Sequence, residues 1–162
     1  VLHRKEISEQ ELLQYINRVR QALPTSIPVG YVDAYYQLLN RSALTGACDI
    51  ILVNCYPFCE GANNPYAISY IDNMIGLTQK IANGKKVIIT ETGWPTTGQK
   101  VEAAEPSMLN AMKYFIAVQE WGKNNNIELF YFSSFDESWK VKDEGAVGAR
   151  WGIWDKDEKL KY

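Results

Sequence analysis

Hydrophobic positions along the chain switch between a helical period and short unbroken runs. From Ile7 to Leu23, apolar residues recur at Leu12, Ile16, Val19 and Leu23, one face of a helix. Ser8 and Glu11 have the spacing of a capping box, Ile7 and Leu12 that of a hydrophobic staple, and Pro24 closes the segment. Ile27 to Tyr31 reads as a short strand and Tyr35 to Leu39 as a brief helix. Asp49 to Asn54 (D-I-I-L-V-N) is a run without alternation, as in a strand buried on both faces, and leads into the loop Cys55-Tyr56-Pro57-Phe58. Pro65 to Asn83 returns to the helical period through Ile68, Ile71, Ile75 and Leu77, with Gly84 placed for the C-terminal turn. Val87, Ile88 and Ile89 form the next buried strand. Glu105 to Asn125 is a third long helix with Pro106 in its first turn, and Glu128 to Phe135 a fourth strand. A polar cluster from Asp136 to Lys140 follows, then a Gly-rich link to Trp151-Gly152-Ile153-Trp154.

This alternation predicts parallel βα units, either in an open doubly wound sheet or as part of a (β/α)8 barrel. No Gly-rich phosphate loop follows any strand, which weakens the nucleotide-binding form of the open sheet. Polar and aromatic residues follow each strand instead: Asp33 and Tyr35, Asn54 and Tyr56, Glu91 and Trp94, then Asp136 to Lys140. Functional groups gathered past the C-terminal ends of strands are the barrel pattern. Four strands are half a barrel. No repeat, low-complexity segment or linker interrupts the sequence, so residues 1–162 are expected to form one domain.

Composition narrows the function classes. A net charge of −2 without a basic stripe makes nucleic acid and anionic membrane surfaces poor partners. No apolar run is long enough for a spanning helix, and no signal peptide opens the sequence. Five Trp and ten Tyr suit a carbohydrate cleft or an aromatic core equally. Cys48, Cys55 and Cys59 allow at most one internal disulfide; with no His beside them, zinc is not expected and small buried hydrophobes are the preferred reading. The single histidine, His3, is terminal, so a His-centred catalytic machine is not expected. Carboxylates remain for acid–base work, and no metal or cofactor is implied.

The foremost carboxylate is Glu91, in Lys86–Pro95 (K-V-I-I-T-E-T-G-W-P). It stands where the buried strand leaves the core, before a loop forced by Gly93 and Pro95 and beside Trp94. An acid and an indole together suit sugar chemistry, the one attacking an anomeric carbon and the other stacking on the ring. A solvated loop Glu after an ordinary core strand is the competing reading.

Ile89–Pro95 (I-T-E-T-G-W-P) resembles the signature of glycoside hydrolase family 17, the β-1,3-glucanases and β-1,3-glucanosyltransferases. Val53–Phe58, Phe135–Lys140 and Glu144–Asp155 resemble that family's strand-six end, strand-eight end and closing segment, in order. The resemblance implies a (β/α)8 TIM barrel of which this chain supplies about four βα units, strands five to eight. It implies a retaining mechanism on β-1,3-glucan, with Glu91 as nucleophile and water or a sugar hydroxyl as acceptor. It also implies a secreted or cell-envelope location. The family's general acid belongs to an Asn-Glu pair typically followed by Val-Leu. The sequence begins at Val1-Leu2, so the acid is expected to lie outside these residues, and Glu6 is a poor substitute.

By the same resemblance Tyr56 lies near the nucleophile, where its hydroxyl is expected to bond the carboxylate; a loop Tyr packed under Pro57 is the alternative. Asn54, Glu137, Lys140 and Glu144 are expected in the substrate cleft, against ordinary surface ion pairing for Glu137 and Lys140. Trp94 and Trp139 are expected as sugar platforms, against burial in the core. Three explanations of the absent acid stand side by side: one piece of a longer protein, a half-barrel pairing with a second copy, or a glucan-binding relic without turnover. The partners expected are thus β-1,3-glucan and either the missing N-terminal half-barrel or a homodimer mate. The runs Val87–Ile89 and Phe130–Phe132 are too apolar to face water, so the chain is not expected to be a stable monomer.

Overall fold

Ser8 opens the first helix as its spacing predicts. In the computed structural model, which describes residues 2 and 4–162, Ser8 Oγ accepts from Glu11 N while the Glu11 carboxylate accepts from Ser8 N, closing the capping box of α1 (Glu9–Ala22). His3 lies outside the described residues. The further elements are β1 (Val32–Ala34), α2 (Tyr35–Leu38), α3 (Ser42–Ala47), β2 (Ile51–Asn54), α4 (Ala67–Ala82), β3 (Val87–Thr92), α5 (Met108–Asn125), β4 (Glu128–Tyr131) and α6 (Val141–Gly148). The four strands form one sheet in the order β1-β2-β3-β4, with β1 and β2 parallel and Val32, Asp33 and Ala34 opposite Leu52, Val53 and Asn54. The chain divides into two compact units, Val1–Cys55 with Asn73–Thr90, and Tyr56–Asp72 with Glu91–Tyr162.

In the first unit, Leu12 and Ile16 of α1, Leu44 of α3, Ile51 and Val53 of β2, and Val87 to Ile89 of β3 are all buried. The chain itself therefore removes the Val87–Ile89 run from water, contrary to expectation. Lys85 joins two elements of this unit: its Nζ donates to the carbonyls of Thr45 (2.8 Å), Gly46 (3.1 Å) and Cys48 (2.7 Å), closing the C-terminus of α3. Asn83 and Gly84 after α4 both have positive φ (51° and 79°), the left-handed turn that glycine favours.

In the second unit, Phe58, Trp94, Tyr114, Val118 and Trp151 are buried. Phe132 N donates to Thr92 O (2.7 Å) just past β4. Gly93 is required here, since a Cβ at this position would lie 2.1 Å from Phe132 O. The Phe132–Ser133 peptide is cis. Asp136 anchors the closing segment: its buried carboxylate accepts from Gly152 N (3.0 Å), Arg150 Nη1 (3.2 Å) and Lys161 Nζ (2.7 Å).

Several boundaries differ from expectation. The Ile27–Tyr31 strand is displaced to Val32–Ala34, because Val29 is held outside the ladder by Asp49: Val29 N donates to Asp49 Oδ2 (2.9 Å) and Asp49 N to Val29 O (2.8 Å). Helix α5 begins after Pro106, since Ser107 is its N-cap and accepts from Asn110 N (3.1 Å). The expected Gly-rich link contains α6, kinked where Gly145 takes φ +69°. Cys48 and Cys55 are buried as expected, but Cys59 is exposed.

Candidate active site

Glu91 leaves the sheet one residue before the end of β3, half-buried. Tyr56, in the loop after β2, donates its hydroxyl to Glu91 Oε2 at 2.8 Å. The phenol is held edge-on against Trp151 (centroids 5.2 Å) and Phe132 (6.3 Å). Burial pushes the Tyr56 pKa well up, and the Glu91 charge, the hydrogen bond to it, and the charges of Cys59 and Glu144 push the same way. Tyr56 is thus a neutral donor throughout the working pH range, and it fixes one oxygen of the carboxylate. Asn54, at the end of β2, accepts from Thr90 Oγ1 (2.7 Å), the residue preceding Glu91.

On the far side of Phe132 stands a short 3-10 turn, Ser138–Lys140. Lys140 Nζ is 2.6 Å from Glu137 Oε2, 4.2 Å from the Phe132 ring centroid and 5.3 Å from that of Trp139. The ammonium is mostly shielded, its side chain 12% exposed, so this pair is more than a solvated surface contact. Glu144 is exposed on α6, and its charge reaches both Tyr56 and Cys59. The structure therefore brings Glu91, Tyr56, Glu137, Lys140 and Glu144 into the second unit, with Phe132 linking Tyr56 to Lys140.

Trp94 overturns its expectation. It is fully buried, packed between Phe58 (5.3 Å) and Tyr114 (5.5 Å), and its indole N–H donates to Glu105 O (2.9 Å). The turn at Gly93 directs it inward, so it offers no face to a sugar. Trp139 has the opposite disposition and is 69% exposed. Sequence reasoning missed Phe132 and Trp151, the rings that seat Tyr56, because nothing in a strand run or a Trp-Gly-Ile-Trp motif says which ring turns toward an acid. It also missed the role of Asp136, whose cationic partners Arg150 and Lys161 come from the closing segment. Among the described residues, no group of three or more His, Cys, Asp or Glu is placed to hold a metal, and no helix is long and apolar enough to cross a membrane.

Residues 1–152 match the family profile described as the BtgE/BtgC glycoside hydrolase domain. The chain belongs to glycoside hydrolase family 17. It is 31% identical to a glucan 1,3-beta-glucosidase of Arthroderma benhamiae, over 99% of this chain and 57% of that protein. The crystal structure of a family 17 beta-1,3-glucanosyltransferase from Rhizomucor miehei superposes with a TM-score of 0.91 at 31% identity, covering 99% of this chain and 58% of that one. An active-site mutant of the Rhizomucor enzyme in complex with laminaritriose superposes equally well at 30% identity. The parallel sheet and its helices are accordingly a partial α/β barrel of the family 17 type. The chain spans somewhat over half the length of these relatives.

Proposed function

We propose that this chain carries the nucleophile side of a retaining β-1,3-glucan hydrolase or transglycosylase. The observation that supports this most is the Tyr56–Glu91 hydrogen bond at the end of β3, in a family whose relatives bear glucosidase and glucanosyltransferase names. Glu91 attacks the anomeric carbon of the glucose unit and forms a glycosyl-enzyme ester as the glycosidic C–O bond breaks. The leaving oxygen takes its proton from a second carboxyl, which in a retaining site stands roughly 5–5.5 Å from the nucleophile. That carboxyl then deprotonates the water or sugar hydroxyl that releases the product. Tyr56, bonded to Oε2, orients the Glu91 carboxylate before attack and after product release. Asn54, Glu137, Trp139, Lys140 and Glu144 contact the glucan; Trp94 does not.

The acid is supplied by an N-terminal half-barrel, a reading that the 57% and 58% coverage of the relatives supports. A second reading, a half-barrel that holds β-1,3-glucan without turnover, is favoured by the exposed Trp139 ring. The working location is extracellular or at the cell envelope. In an assembly with the complementary half-barrel, a 2-fluoro laminaribiosyl donor should label Glu91, and Glu91→Gln should abolish both labelling and laminarin turnover. Labelling of another carboxylate, with Glu91→Gln still active, overturns the assignment. Saccharide binding with no labelling and no turnover selects the second reading.

A further inference from the structure

Asp136 takes no part in the chemistry above, yet it is a buried charge. Its side chain is 1% exposed and that of its partner Lys161 is 8% exposed. Burying a carboxylate is costly unless its oxygens are met by hydrogen-bond donors. Here Oδ1 accepts from Gly152 N (3.0 Å) and Lys161 Nζ (2.7 Å), and Oδ2 from Arg150 Nη1 (3.2 Å). A buried ion cluster adds little stability over apolar packing of the same shape. What it adds is direction, because each charge-assisted bond fixes a length and an angle.

The donors lead to both partners of the Tyr56–Glu91 hydrogen bond. Gly152 follows Trp151, and Trp151 is clasped by Ser133, whose N donates to Trp151 O (3.2 Å) and whose carbonyl accepts from Ile153 N (3.0 Å). Held there, the Trp151 indole meets the Tyr56 ring edge-on at 5.2 Å and Phe58 at 5.7 Å. This is the donor side of the bond. On the acceptor side, Lys161 Nζ also donates to Thr96 Oγ1 (2.9 Å), and Thr96 N donates to Arg150 O (2.9 Å). Thr96 lies in the loop that leads out of β3 after Glu91. One carboxylate thus ties the ring that seats the Tyr56 phenol to the loop that follows the proposed nucleophile.

On the nucleophile reading of Glu91, on which this rests, we infer that Asp136 is a positioning residue for the reaction. It acts through Gly152 and Trp151 on Tyr56, and through Lys161 and Thr96 on the loop after Glu91, and so sets the hydrogen bond between them. Asp136 itself touches neither glucan nor the reacting atoms. A misplacement of about 1 Å can slow a reaction about a hundredfold, so the loss belongs to the rate of attack and not to sugar affinity.

Two readouts test this. One is the rate at which a 2-fluoro laminaribiosyl donor labels Glu91 in the assembly with the complementary half-barrel. The other is the 13C signal of Tyr56 Cζ in the 162-residue chain, which reports the hydrogen bond of its hydroxyl. Asp136→Asn keeps the size and an acceptor for Gly152 N but discards the charge that Lys161 and Arg150 meet. It should slow labelling about 10-fold at unchanged donor Kd, and move the Tyr56 signal. Lys161→Met cuts the Thr96 link alone and should slow labelling about threefold, the effect of one hydrogen bond; it decides the matter if Asp136→Asn does not fold. Added to Tyr56→Phe, Asp136→Asn should slow labelling by no more than about a further twofold, since the bond it sets is already gone. A wild-type labelling rate, an unmoved Tyr56 signal, or a full additional 10-fold loss in the Tyr56→Phe background overturns the positioning role. If wild-type Glu91 is not labelled at all, the nucleophile reading fails, while the Tyr56 signal still shows whether Asp136 sets the bond.

Discussion

Tyr56 and Glu91, 35 positions apart, share one short hydrogen bond, and at that bond a core phenol meets the proposed nucleophile. Removing the hydroxyl leaves the ring packed on Trp151 and Phe132, so Tyr56→Phe separates chemistry from packing. A hydrogen bond to a charged group contributes about 1.5–3 kcal/mol, so the turnover rate of the assembled enzyme should fall about 10- to 100-fold with the fold unchanged. A rate within twofold of wild type would show that the bond is incidental. The two tryptophans should separate in the same way. Trp94→Ala leaves a large hole in the second unit and removes one of the two donors to the Glu105 carbonyl, and should cost about 3–5 kcal/mol in urea unfolding; Trp139→Ala should cost almost nothing there and act on glucan affinity alone. Equal losses of stability would contradict the opposed burial of the two rings. Tyrosine ionisation gives a third expectation. Burial, with the Asp33 charge behind it, pushes Tyr31 up to about 12, and burial raises Tyr56 and Tyr131 further. The folded chain thus keeps protons that the unfolded chain releases near pH 10. Their stabilisation is fully present below pH 10 and, for Tyr31, is lost as pH rises through about 12. The urea midpoint should fall between pH 9.5 and 11.5, with delayed tyrosinate absorbance; a flat midpoint would refute the linkage.

Between elements, close approach and capping matter more than propensity. Gly93 admits Phe132 O where a methyl group would collide, so Gly93→Ala should displace the chain after β4 and release Tyr56 from its rings. The expected result is loss of the near-ultraviolet aromatic dichroism at retained helix content; a variant with native aromatic dichroism would show that the backbone yields cheaply. Much of this level is legible in the residues. Ser8 and Glu11 announce α1, the unbroken apolar runs announce β2 and β3, and Gly84 marks the end of α4, because each signal is local. What was hidden depends on distant partners. Asp49 draws Val29 out of the ladder and delays β1 to Val32, although Ile27–Tyr31 has the stronger β pattern. Helix α6 forms across glycines that read as a link. At the site, the Tyr56–Glu91 contact could be read from family likeness. The burial of Trp94 could not, since a Gly-Trp-Pro turn is equally compatible with a ring facing in or out.

At the scale of the molecule, the sheet's two outer strands decide what must cover them. Val32 on β1 and Phe130 on β4, the first and last strands in the sheet order, are 40% and 65% exposed, and exposed apolar residues on outer strands invite a covering partner. The Val87–Ile89 run no longer argues for association, because the chain buries it. The edge strands still do, and a family 17 relative that this chain covers for 58% of its length has further chain to supply. A complementary half-barrel would satisfy both edges and bring the acid carboxyl together with Glu91, whereas a second copy would bring only another nucleophile. Mixing this chain with a separately expressed half-barrel carrying the Asn-Glu pair should therefore give a 1:1 particle in sedimentation and laminarin turnover absent from either part. Phe130→Lys should weaken that association while leaving Tyr56 and Glu91 in place. If the chain alone sediments as a monomer, ignores the added half and turns over nothing, the edges are self-sufficient and the half-barrel proposal fails. If it forms an active homodimer, the acid lies within these 162 residues, with Glu137 and the second Glu91 the first carboxylates to replace.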